Sequence, residues 1–116
     1  MKPQALVRPD GRQTYGMDKA RKRVLRTALA RARTLSSTSG GWPDHLPPAR
    51  QDAWMIMVEV EAILVGSVST QLTGGPLDVE QVRAALALLD GAELDRQWDA
   101  REVGGWRAVA QALLEP

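Results

Sequence analysis

Five cations in the first third of the chain, Lys19, Lys22, Arg23, Arg26 and Arg33, recur at three-, four- and seven-residue intervals. On a helix of 3.6 residues per turn those intervals return to one arc, so the side chains form a ladder of positive charge roughly 21 Å long. Such a ladder does electrostatic chemistry. Each Lys or Arg that meets a phosphate releases a condensed counterion, and that release supplies affinity for a nucleic acid without reading its sequence. Ahead of the ladder, Arg8 and Arg12 lie among Pro3, Pro9 and Asp10-Gly11, a setting for an extended basic arm that can enter a minor groove beside a helix placed elsewhere on the duplex.

The opposite charge collects at the other end. Residues 1–38 hold ten Lys or Arg against Asp10 and Asp18, a net +8, whereas residues 39–116 hold five Arg against twelve acids, a net −7. The whole-chain value of +1 therefore conceals a dipole. Asymmetry of this kind points to nucleic acid, an anionic membrane surface or an oppositely charged protein partner. The acidic stretch Glu93, Asp95, Asp99 and Glu102 is the place where such a protein partner would dock, or where the chain's own basic helix would find its counter-charge. Trp42, beside Pro43 in a loop, is a second candidate anchor for a protein partner.

Other groups with chemical potential fall short of a site. His45 is the only histidine and has no neighbour beyond Asp44 to make it a base. Asp95 and Asp99 stand one turn apart but lack further ligands for a cation. Ser36, Ser37, Thr38 and Ser39 have no base or oxyanion motif nearby, and Gly40-Gly41 and Gly74-Gly75 lack the lysine and spacing of a phosphate loop. Cysteine is absent, which removes disulfides, thiolate metal ligands and thiol nucleophiles together. No catalytic residue, metal site or cofactor is expected, and an enzyme is not.

The elements that must position these residues read as helices. At 116 residues the chain suits one domain with a single core, and an apolar supply led by Ala and Leu, without Phe, favours helix over sheet. Residues 1–16 read as the flexible basic arm and 17–116 as one helical domain. Asp18 is the expected N-cap of a first helix in which Val24, Leu25, Ala28, Leu29, Ala32 and Leu35 face inward, opposite the cations. After a loop over 36–48, a second helix from about Ala49 to Leu72 carries Ala53, Met57, Val60, Leu64, Val68 and Leu72 along its inner side, with Asp52, Glu59, Gly66 and Ser69 outward. The alternation Met57-Val58-Glu59-Val60-Glu61 would also suit a strand, and length favours the helix. The apolar run Ala53 to Val65, broken by Glu59 and Glu61, is too short to cross a bilayer.

Beyond Gly74-Gly75-Pro76, Asp78 and Gln81 form a capping pattern for a third helix of about eleven residues that ends at Asp90-Gly91. A fourth helical stretch, Ala92 to Val103, is acidic, and Gly104-Gly105 is expected to separate it from a last helix bearing Trp106, Val109, Ala110, Leu113 and Leu114. A helix-turn-helix in the third and fourth helices is disfavoured, because its second helix would present acids to a polyanion.

These readings give an all-α bundle of four or five helices with the second at its centre. The expected function is that of a small non-enzymatic nucleic-acid-binding accessory or regulatory protein, with DNA ahead of RNA as partner. The alternative is a helical adaptor or inhibitor whose acidic half engages a protein. Two-fold pairing to cover the central helix, a cytoplasmic location without membrane attachment, and, from the preference for Arg over Lys, a bacterial or phage origin complete the expectations. The two functional readings separate on whether the basic arc is open or covered by the acidic stretch.

Overall fold

The computed structural model describes residues 15–38, 44–91 and 94–115, with side chains from Lys19 onward in the first helix. The expected arm with Arg8 and Arg12, and also Trp42 and Glu93, lie outside the described residues. Five helices follow one another: α1 Tyr15–Leu35, α2 Pro48–Leu72, α3 Val79–Leu89, α4 Leu94–Gln97 and α5 Ala100–Leu114. No strand occurs among the described residues, and the chain is an all-α bundle.

α2 opens on the dipeptide Pro47-Pro48. Pro48 sits in the first turn, where its missing N–H is no loss, and the Pro47 carbonyl accepts from Arg50 N and Gln51 N at 2.9 and 3.0 Å. The helix then buries Ala53, Met57, Val60, Leu64 and Val68 completely, a spacing of three and four residues that a strand cannot place on one side. The strand alternative fails on that geometry. Leu72 is half-buried, and Asp52, Glu59, Gly66 and Ser69 face outward as the periodicity predicts. The end of α2 is tied off by Thr73, whose hydroxyl donates to the Ser69 and Thr70 carbonyls at 3.1 Å, and by Gly74 at φ 88°, a left-handed conformation that favours glycine. With 25 residues in one helix, α2 is long and apolar enough to cross a membrane by length and composition. That corrects the expectation drawn from the shorter run Ala53 to Val65. Core helices share the property, and the inner side of α2 forms the centre of this bundle.

α3 starts where the capping pattern predicts: the Asp78 side chain accepts from Gln81 N at 3.2 Å, and Val82, Ala85 and Leu89 are buried. Three boundaries differ from the sequence reading. Asp18 lies inside α1, which begins at Tyr15, so it is not the N-cap. The acidic stretch is not one helix, because α4 is a single turn and the chain breaks at Trp98-Asp99, where the Asp99 side chain accepts from Arg101 N at 2.8 Å and starts α5. Finally, α5 runs unbroken through Gly104-Gly105. Gly105 serves packing instead of a break: a Cβ there would stand 3.4 Å from Ala32 Cα and 3.5 Å from Leu35 Cδ1, so α1 and α5 meet almost at backbone contact.

α5 packs against α1, α3 and α2 and shares the centre with α2. α1 runs antiparallel to both, since its start reaches Gln71 and Leu113 through Arg21 while the residues after its end reach Glu61 and Glu102. With no Phe in the chain, Trp98 and Trp106 supply large buried volume, joined by half-buried Trp54.

Candidate functional site

α1 separates its residues by arc, but less evenly than the pattern implies. Leu25 and Ala32 are buried, Ala28, Leu29 and Leu35 are half-buried, and Val24 is 53 % exposed, so Val24 belongs to the outer surface and not to the core. Lys19, Arg23, Arg26 and Arg33 are exposed, Lys22 is half-buried, and Arg31 adds a further exposed cation outside the expected set. None of these six is in an ion pair among the described residues. Like charges so arranged repel one another across the helix surface, and only solvent, salt or an external anion relieves that repulsion.

Arg21, on the same helix, has a different role. Its guanidinium donates to Gln71 Oε1 at 3.1 and 2.9 Å, to the Leu113 carbonyl at 2.9 Å and to the Glu115 carbonyl at 2.7 Å. Leu113 lies in the last turn of α5 and Glu115 follows the helix, so the cation meets carbonyls of a helix C-terminus, where the dipole favours positive charge. The rigid guanidinium fork suits several such contacts at once. Its position, 200° from Lys19 on the helix at about 100° per residue, already separated it from the basic arc.

Among the described residues of the acidic stretch, Asp95, Asp99 and Glu102 make no ion pair with that arc. Asp95 is exposed on α4. Asp99 caps α5, and the backbone N–H of Arg101, with its guanidinium second, holds the Asp99 carboxyl below its usual 3.8. Asp90 pairs with Arg107 at 3.0 Å. Glu102 departs from the expected partner surface altogether: only 4 % exposed, it accepts from Ser37 Oγ at 2.7 Å, Ser37 N at 3.2 Å and Trp98 Nε1 at 2.8 Å. A carboxylate can be buried where hydrogen bonds replace its lost hydration, and that accounts for its place here.

Glu61 of α2 takes the hydroxyls of Ser36 and Thr38 at 2.9 and 2.6 Å. The Ser36–Thr38 segment is thus clasped between a carboxylate of α2 and one of α5, which gives these hydroxyls a structural use. Glu61 and Glu102 were not paired with the Ser/Thr run at the sequence level because 25 and 65 residues separate the hydrogen-bonded partners. The four-residue step from Trp98 to Glu102 was the one local signal of that clasp. Arg50 stacks over the Trp98 ring at 4.8 Å, another contact that links distant elements.

His45 is exposed in a turn, and no group of three or more His, Cys, Asp or Glu side chains that could hold a metal ion occurs among the described residues. Comparison with known protein families, with curated proteins and with solved structures finds no match to this chain.

Proposed function

We propose that this chain is a small, non-enzymatic nucleic-acid-binding accessory or regulatory protein that lays the basic arc of α1 along a phosphate backbone. The observation that carries the reading is that Lys19, Lys22, Arg23, Arg26, Arg31 and Arg33 have no ion pair among the described residues, while Asp90 and Asp99 pair with arginines of their own half. One strand of duplex DNA carries one charge per roughly 3.4 Å of axis, so a ladder of about 21 Å spans on the order of six phosphates of one backbone. The rival adaptor reading loses Glu102 from its acidic surface, because that side chain is buried within the bundle.

The test is a duplex of about 30 base pairs of mixed sequence, titrated at several salt concentrations. Log K should fall linearly with log salt at a slope of about −3 to −5, near −0.9 for each phosphate neutralised. Replacing Lys19, Lys22, Arg23 and Arg26 together by Glu should abolish binding and leave the helical circular dichroism intact. A flat salt response, or binding that survives the fourfold replacement, defeats the proposal. A single-stranded RNA of equal length serves as the second probe and decides between DNA and RNA.

A further inference from the structure

α2 carries an uncharged, largely apolar strip on its outer side. At about 100° per residue, Met55, Ala62 and Ser69 fall nearly on one line over about four turns, with Val58 and Val65 on the side of α1 and Gly66 on the other. Met55 is 53 % exposed, Ala62, Gly66 and Ser69 are exposed, and the two valines are half-buried. The two edges of this strip bear opposite signs. Towards α1, Val58, Ala62 and Val65 share an open groove with Arg33, and Arg26 and Lys22 continue the same arc along α1. On the far edge, Asp52 and Glu59 are both exposed. Arg26, Arg33, Asp52 and Glu59 have no ion pair among the described residues.

Glu61 also lines the groove, its carboxylate held by the Ser36 and Thr38 hydroxyls. With Arg33 beside it the lining is close to neutral, so the groove selects neither a free anion nor a free cation. The surface that fits has a matching uncharged strip and both signs at its edges, in the reverse order. A second copy supplies it when the two-fold axis runs along α2: rotation about that axis keeps the two helices parallel and carries the acidic edge of one copy to the basic edge of the other. A two-fold axis across α2 would set cations against cations. The heights along the helix agree as well. Arg33 borders Val58 and Ala62, and Glu59 lies between these two in the chain, so a parallel pair brings Arg33 of each copy level with Glu59 of the other, twice by symmetry.

We propose that two copies of this chain pair in parallel through the outer strip of α2, with Arg33 of each copy against Glu59 of the other. The interface does not rest on the nucleic-acid reading. It is tested by sedimentation of the full chain without nucleic acid, which should find a dimer at roughly 100 µM. Ala62→Glu, which sets two like charges face to face on the axis, should weaken association at least about tenfold. Arg33→Glu and Glu59→Arg should each do the same, and the chain carrying both should recover the dimer, because the pair re-forms with its signs exchanged. All three positions are exposed, so the helical circular dichroism should not change.

Orientation is read by disulfide formation, since the chain has no cysteine of its own. Met55→Cys and Ser69→Cys chains, mixed in equal amounts and oxidised, should couple like with like, position 55 to 55 and 69 to 69, and mass spectrometry separates these products from the mixed one. A predominance of the mixed product, which an antiparallel pair gives, overturns the proposal. So does a monomer at roughly 100 µM, a dimer indifferent to Ala62→Glu, or charge reversals that fail to rescue each other. A chain that stays monomeric and floats with phosphatidylcholine vesicles overturns it too, because a lipid surface would then be the occupant of the strip.

Discussion

On α1, Lys19, Arg23, Arg26, Arg31 and Arg33 stand in solvent with no ion pair among the described residues. Along the acidic half, Asp90, Asp99 and Glu102 each hold a donor, from Arg107, Arg101, Ser37 or Trp98. The two regions thus use their charge differently: the acids around the start of α5 serve the fold, and the cations of α1 other than Arg21 do not. A carboxylate is short and accepts from several donors, so it serves well as a helix cap or a buried acceptor. The cations of α1 sit on long stems that point away from the packed side of their helix, and only Arg21 is turned back into the protein. Formal charge bounds what a region can attract; hydrogen bonding within the fold decides how much of that charge remains available.

The sharpest way to break this contrast is to remove an acid that the fold uses. Glu102→Ala strips the acceptor from the Trp98 indole N–H and from both Ser37 donors, and the expected loss is about 2–3 kcal/mol, read as a lower urea midpoint at unchanged m-value. Asp95→Ala on the exposed turn of α4 should stay within about 0.5 kcal/mol of the parent. Equal losses at the two positions would mean that burial of Glu102 has no energetic weight.

A smaller effect separates two neighbours on α1. Arg21→Ala should cost about 2 kcal/mol, since charge-assisted hydrogen bonds to Gln71 and to the carbonyls at the end of α5 disappear, and should leave the salt slope of nucleic-acid binding unchanged. Arg23→Ala should do the reverse, with stability within about 0.5 kcal/mol of the parent and a slope shallower by about 0.9. If both variants change the slope equally, the division between structural and free cations is wrong.

The smallest effect is in the acid range. The Asp99 carboxyl is lowered by the Arg101 backbone N–H and guanidinium, so its folded value lies under its unfolded one. Its contribution is complete above the unfolded value near 3.8 and is lost as pH falls through the folded value. Because Asp99 is exposed, salt screens part of the effect. Urea midpoints followed from pH 5 downward should therefore fall less steeply in Asp99→Asn than in the parent. Identical slopes would remove the cap from the acid response.

Much of the architecture was legible without coordinates. Three- and four-residue spacing placed Ala53, Met57, Val60, Leu64 and Val68 on one side of α2, and Asp78 with Gln81 marked the start of α3, because both signals are local and both follow from helix geometry. The cations of α1 were found for the same reason. Gly104-Gly105 misled because a glycine pair in sequence suits a break as well as a close helix contact, and only the approach of Ala32 distinguishes the two. Asp18 misled because a capping residue type does not fix where a helix starts.

The sequence by itself determined the helical class, the inner side of each long helix and the separation of charge between the two ends, since these depend on residue type and on neighbours within a turn or two. The tertiary structure alone decided which charges stay free. Glu102 meets Ser37 and Trp98, Arg21 meets Gln71 and Leu113, and the Trp106 indole N–H has no acceptor among the described residues, through contacts set by how helices distant in the chain pack together. Periodicity tells which side of a helix turns inward; the polar partners waiting there belong to other helices, and local sequence carries no record of them.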